Sequence, residues 1–88
     1  MFEREKERCL AGIKKCDEFL KSKTLMASKN YVASEIPPEK VVSIVKGFIY
    51  QGYGSKADNS LIIFYANAKQ GFILRLVAMQ EAEYAAEQ

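Results

Sequence analysis

The sequence contains no histidine and no tryptophan, and it has only two cysteines, two prolines and five glycines among its 88 residues. Without histidine the chain lacks the commonest general base and the commonest metal ligand. If their segment is helical, Cys9 and Cys16 lie about 10.5 Å apart along the axis, which is too far for a disulfide. We therefore expect reduced cysteines, no metal, no cofactor and no catalytic residue, and hence a protein that is not an enzyme.

Long apolar runs and a large charge of one sign are also missing. No run approaches the roughly 18–20 residues of a membrane span, so we expect no membrane contact. The net charge is only +2, which excludes a strongly basic arm for nucleic acid. Hydrophobic residues make up 49 % of the chain and charged residues 27 %, as in ordinary globular proteins. These features predict one small cytoplasmic domain over residues 1–88.

Two segments show helical periodicity. Residues 2–22 place a set of apolar side chains on one helix face: Phe2, Cys9, Ile13, Cys16 and Leu20. Residues 37–54, "PPEKVVSIVKGFIYQGYG", also fit a helix, in which Pro38 suits the first turn and Gly52 the end. Between them, residues 24–36 fit either two short strands around Ser28, Lys29 and Asn30 or one strand and a loop.

Residues 60–66 and 71–78 alternate like the two strands of an antiparallel hairpin, and residues 67–71 supply turn chemistry. One face of this hairpin would be wholly apolar: Leu61, Ile63, Tyr65, Phe72, Leu74 and Leu76. The other face would present Ser60, Ile62, Phe64, Ile73, Arg75 and Val77. The last residues favour a short helix.

The sequence therefore predicts an α+β fold. Its elements are a long N-terminal helix, a second helix, an antiparallel β-hairpin in a sheet of two to four strands, and a short C-terminal helix.

Arg75 is the one cation in the second of these strands, and it leaves three interpretations open. In the first, the aliphatic stem of Arg75 lies over Ile62 and Phe64 while its guanidinium reaches water. Alternatively, it pairs with Glu35, Asp58 or a glutamate of the C-terminal tail. Finally, it lies in a surface that a partner covers, since arginine beside aromatic residues is typical of interface centres.

The second hairpin face predicts a non-enzymatic protein-binding module: a small adaptor, regulator or inhibitor, with a homodimer as its simplest form. The partner-binding residues would be Ile62, Phe64, Ile73, Arg75 and Val77. An alternative is a small nucleic-acid-binding domain that uses sheet aromatics together with Lys56, Lys69 and Arg75. The glycine-rich "GYGSK" at 52–56 lacks the spacing of a phosphate-binding loop and precedes a predicted strand, so it is interpreted as a turn.

Overall fold

Three helices and a two-stranded hairpin make up the part of the chain that the computed structural model describes, residues 1–26 and 30–87. Helix α1 spans Glu3–Leu20, α2 spans Pro38–Gln51 and α3 spans Lys56–Glu87. Strands β1 (Thr24–Met26) and β2 (Asn30–Val32) pair antiparallel. A 3-10 turn, Ala33–Glu35, then leads into α2.

The predicted α+β fold and its order of elements are wrong. Residues 60–78 form no hairpin, because they lie inside α3, which runs without a break from Lys56 to Glu87. The C-terminal helix is thus the longest element described rather than a short one. In the described ranges, strands occur only within 24–32, which corresponds to the two-strand alternative for residues 24–36. The turn predicted at Ser28 and Lys29 lies outside the described residues.

The misassigned segment is helical because a helix buries two of its apolar stripes at once. Ile62 and Ala66, four residues apart, pack into the core with α2. Tyr65 and Phe72, seven apart, lie against α1, where Tyr65 stacks on Phe19 with ring centroids 4.3 Å apart. The predicted turn residues 68–70, Ala-Lys-Gln, are good helix formers and continue the helix.

Helices α1 and α2 begin and end close to the predicted bounds. Gly52 ends α2 in the left-handed conformation, with φ 77°. Its N–H donates to the Ile49 carbonyl, and the Tyr53 N–H donates to the Phe48 carbonyl. This pair of bonds satisfies carbonyls that the helix end leaves free, and glycine adopts the required φ without strain.

The buried core lies where α2, the hairpin and the end of α1 surround the first half of α3. Its members are Leu20, Leu25, Ala33, Val41, Val45, Ile62 and Ala66. Along the second half, α1 runs antiparallel to α3 and approaches it closely at Gly12. A Cβ added there would lie 2.5 Å from ring carbons of Phe72, so any larger residue would require the Phe72 ring to shift.

The three helices differ greatly in length. At 1.5 Å per residue, α3 is about 48 Å long and α2 only about 21 Å. The molecule measures 50 × 20 × 20 Å, so α3 runs along its whole long axis. One half of the molecule is therefore formed by α2, the hairpin and the first half of α3, with only the end of α1 beside them, and the other half is a pair formed by α1 and α3.

Candidate interaction surface

The five predicted partner-binding residues all lie on α3 and do not share a face. Ile62 is buried in the core, and Ile73 is half-buried. Phe64 and Val77 are 64 % and 42 % exposed. At 100° per residue, however, Phe64 points nearly opposite to Ile62, Ile73 and Val77. The hairpin face that joined these residues is absent, and binding through any of them stays a prediction.

Arg75 is exposed, and its guanidinium lies over the Phe72 ring, 5.5 Å from the ring centroid. With Phe72, Glu5 and Arg8 it borders a shallow groove of about 440 Å³ between α1 and α3. No ion pair links Arg75 to Glu35, Asp58 or a tail glutamate within the described part of the chain. The guanidinium itself therefore makes a cation–π contact with Phe72, whereas the first interpretation placed the aliphatic stem over Ile62 and Phe64.

Lys69 is a buried cation, only 8 % exposed. Its Nζ donates to the Ser34 carbonyl at 3.1 Å and lies 2.6 Å from Asp17 Oδ1. A buried ammonium needs such partners, because an unpaired charge in an apolar interior is costly. Lys69 therefore ties α3 to α1 and to the turn before α2. Of the three nucleic-acid residues predicted, only Lys56 and Arg75 remain exposed.

The apolar row that faces α2 continues along α3 beyond the end of α2. Ile62 and Ala66 belong to its covered part. Counted from Ala66, the next residues on the same side of the helix follow at spacings of seven, four and seven: they are Ile73, Val77 and Tyr84. Since Lys69 contacts Ser34 just before α2, this continuation lies past the level at which α2 begins. Val77 is 42 % exposed and Tyr84 66 % exposed.

Helix α1 borders the same side of the molecule with a row of its own. Lys6, Leu10, Ile13 and Asp17 recur at four, three and four, so they share one face. Asp17 meets Lys69 on the side closed by the 3-10 turn, and Lys6 pairs with Glu83 at the far end. Leu10, between them, is exposed. We call the surface formed by Leu10, Ile13, Ile73, Val77 and Tyr84 the α1–α3 face.

Sequence reasoning did not join Tyr84 to Val77 and Ile73, because it divided the segment into a hairpin and a separate tail. The missing signal was the spacing itself: Tyr84 follows Val77 by seven, and Val77 follows Ile73 by four. Read as one continuous helix, these positions extend the core row of α2 contacts.

A cleft of about 620 Å³ lies at the opposite end of the molecule, where α3 begins. Its apolar wall is formed by Leu25, Phe48 and Ile62, and Lys23 and Asp58 face each other 3.6 Å apart on its border. Asn59, which is buried, donates through Nδ2 to the Tyr53 carbonyl at 2.8 Å and fixes the loop after α2. A helix, not the predicted strand, follows "GYGSK". The volume is that of a small-ligand pocket, in which the Lys23–Asp58 pair and the Asn59 side chain already have partners within the chain.

The residue types of metal and nucleophile sites are not gathered in the described ranges. Groups of three or more cysteine, aspartate or glutamate side chains able to hold a metal ion do not occur there. Cys9 and Cys16 are free and buried on α1. Burial, and next the neighbouring Asp17, raise the pKa of the Cys16 thiol, so its thiolate is disfavoured at neutral pH.

Helix α3 is long and apolar enough to cross a membrane by length and composition alone. The core helix of a folded domain meets the same criterion. In this structure the same helix packs against α1, where Lys69 pairs with Asp17. The absence of membrane contact and the cytoplasmic location both stay predictions.

Neither a protein-family model, nor a curated protein, nor a solved structure matches this chain.

Proposed function

We propose that the chain is a non-enzymatic protein-binding module that acts by docking a partner on the α1–α3 face. The carrying observation is that the apolar row of α3 outruns the helix that covers it, so that Val77 and Tyr84 are exposed. Both belong to the same row as the core residues Ile62 and Ala66. A helix supplied by a partner and placed end to end with α2 would bury Val77 and Tyr84, in the way that α2 buries the first half of α3.

The chemistry of the α1–α3 face favours a protein as its partner. Aliphatic side chains and a tyrosine form its centre, whereas charged residues such as Lys14 and Glu81 flank it. Protein interfaces have this anatomy, with an apolar centre and a polar rim. The adaptor, regulator and inhibitor roles each follow from occupying a partner's surface, and none requires a reacting group.

A matched pair of variants tests the proposal. Val77→Asp places a carboxylate at the centre of the α1–α3 face, whereas Phe64→Asp places the same group on the opposite side of α3. Both positions are exposed, so both variants should keep the helical circular dichroism of the parent protein. We expect Val77→Asp to abolish chemical cross-linking to any protein partner, the chain itself included, and Phe64→Asp to leave it intact.

Loss of cross-linking in Phe64→Asp but not in Val77→Asp would overturn the proposal in favour of the opposite side of α3. Equal cross-linking by both folded variants and the parent protein would also contradict it.

A further inference from the structure

We infer that the two helices α1 and α3 bind single-stranded nucleic acid on the side opposite to the α1–α3 face. This second surface carries four exposed cations and one exposed aromatic ring: Arg4, Arg8, Lys15, Arg75 and Phe64. We call it the cationic strip. It shares no residue with the α1–α3 face, so the inference goes beyond the proposed function and does not depend on it.

Helix periodicity places these residues on one side of the molecule. On α1, Arg4, Arg8 and Lys15 recur at spacings of four and seven, so they share a face. On α3, Phe64 and Arg75 are eleven residues apart, which is close to three full turns. The two rows border each other, because Arg8 and Arg75 line the same groove between the helices.

The cations of the strip are not compensated by neighbouring acids. None of the four takes part in an ion pair within the described ranges, whereas on the other side Lys6 pairs with Glu83 and Lys69 with Asp17. Against these four cations, Glu5 places one carboxylate on the border of the groove. The strip therefore has an excess of positive charge and attracts an anionic partner.

The groove between the two arginines combines charge with apolar surface. Its volume is about 440 Å³, and Phe2, Phe72 and Met79 belong to its lining. Two guanidinium groups on one groove repel each other, and an anion between them removes that repulsion. Arg75 already lies over the Phe72 ring, 5.5 Å from its centroid. A ligand that suits this groove brings a flat ring and a negative charge next to each other, as a nucleotide does.

The strip repeats this combination along its length, which favours a strand over a single nucleotide. Phe64 is 64 % exposed and lies about 16 Å from Arg75 along α3. Lys15 lies between their levels, because Phe19 stacks on Tyr65 and Gly12 meets Phe72. Ring and cation thus alternate, as bases and phosphates do in a single strand, whose bases are free to stack on side chains.

The acids of α1 argue against an anionic membrane as the partner. Glu7 and Glu18 are exposed on the side of α1 opposite to the buried Cys9 and Cys16. A membrane plane that reached the cationic strip would lie close to both carboxylates, and membrane-surface helices carry cations there instead. A strand that follows the groove between α1 and α3 avoids them.

Fluorescence anisotropy of a labelled oligothymidylate of about 20 nucleotides, titrated with the purified chain, tests the inference. With about four phosphates neutralised, we expect a Kd on the order of 1–100 µM at about 0.15 M salt. The logarithm of Kd should rise with the logarithm of salt concentration with a slope of about 2–3.

Two neighbouring lysines supply a matched pair of variants. Lys15 belongs to the strip, whereas Lys14 is exposed on the side of α1 that carries Leu10. Lys15→Gln should raise the Kd about 3-fold and lower the salt slope by about 0.7, and Lys14→Gln should leave both unchanged. An equal effect of the two variants would show attraction to the net charge of the whole molecule and would overturn the strip.

Combining Arg8→Gln with Arg75→Gln removes both guanidinium groups of the groove and should raise the Kd at least about 10-fold. Both residues are exposed, so the double variant should keep the helical circular dichroism of the parent protein. A folded double variant that binds the oligothymidylate as tightly as the parent protein would contradict the inference.

An abasic strand of the same length tests the part played by the rings. It supplies the phosphates without the bases and should bind about 10-fold more weakly, because stacking no longer contributes. Phe64→Ala should weaken binding of the oligothymidylate and leave binding of the abasic strand unchanged. Equal Kd values of the two strands for the parent protein would overturn the assignment to nucleic acid.

Absence of binding at about 200 µM protein and about 50 mM salt overturns the inference. Flotation of such a chain with phosphatidylglycerol vesicles, lost in the Arg8→Gln and Arg75→Gln double variant, would replace it with a lipid surface. The proposed function is decided separately, because Val77→Asp should abolish cross-linking to a protein and leave the Kd for the oligothymidylate unchanged.

Discussion

At the scale of single residues, Lys69 has the largest structural consequence. Its ammonium joins three segments that are distant in the sequence, through the Asp17 carboxylate and the Ser34 carbonyl. The sequence presented it as a turn residue and as a contact for nucleic acid. Nothing in its neighbours signals a buried ammonium, because both partners come from segments more than thirty residues away.

Replacing Lys69 with methionine should lower the free energy of unfolding by about 1–2 kcal/mol, because the Ser34 carbonyl and the Asp17 carboxylate lose a partner. The Asp17 side chain is 37 % exposed, so water offsets part of that loss. Urea denaturation followed by circular dichroism measures the change.

Lys46→Met is the control for this substitution, since Lys46 is exposed in the middle of α2. A double-mutant cycle with Asp17→Asn should give a coupling energy on the order of 1 kcal/mol. Equal stability of Lys69→Met and Lys46→Met would show that the buried contacts contribute nothing.

At the scale of elements, two helical glycines differ in their surroundings: Gly71 has open space beside it, and Gly12 lies in a close contact between helices. Nothing lies within 4 Å of a Cβ added at Gly71, in the middle of α3, whereas one added at Gly12 would meet Phe72. Gly71→Ala should therefore stabilise the protein by about 1 kcal/mol through helix propensity. Gly12→Ala should destabilise it by about 1–2 kcal/mol, because steric overlap outweighs the same propensity gain.

Thermal unfolding measures the Tm of the two variants, Gly71→Ala and Gly12→Ala. In the hairpin that the sequence suggested, Gly71 would close a turn, and alanine would not stabilise it. A lower Tm for Gly71→Ala would therefore contradict the continuous helix α3.

The elements also show how far the sequence alone could lead. Helices α1 and α2 were predicted close to their true bounds, because each has a single apolar stripe and recognisable ends. Helix α3 was missed because it is apolar on nearly every side. Such a segment fits both the two-residue alternation of a strand and the three- or four-residue spacing of a helix. Periodicity therefore cannot distinguish a strand from a helix there.

Local preferences then misled the assignment of α3. Ile62, Ile63, Ile73 and Val77 are β-branched, and β-branched residues favour strands. Packing against two helices overrides that preference, since α1 and α2 each bury a different stripe. The predicted interaction surface changed for the same reason. Ile73 and Val77 remain in it, whereas Phe64 moves to the other side of the molecule.

At the scale of the whole molecule, the two halves should differ in local stability. The first half of α3 is buried by α2 and by the hairpin, whereas the second half is covered only by α1. Local opening is easier where fewer apolar contacts must be broken. We expect amide hydrogens at 59–69 to exchange more slowly than those at 74–84.

Hydrogen exchange measured by mass spectrometry tests this expectation. A partner bound on the α1–α3 face should slow exchange at 74–84 and leave 59–69 unaffected. Uniform exchange along α3 in the free chain would contradict the difference between the halves.

The pairing of α1 with the far half of α3 also determines when the fold can be completed during translation. Lys6 meets Glu83, and Gly12 meets Phe72, so each contact joins an early residue to a late one. Helix α1 leaves the ribosome long before its mate has been synthesised, whereas α2 and α3 are consecutive and need only a short loop to meet. The Cys9 and Cys16 side of α1 therefore stays uncovered in the nascent chain until the second half of α3 has been synthesised, and that is the surface we expect a chaperone to recognise.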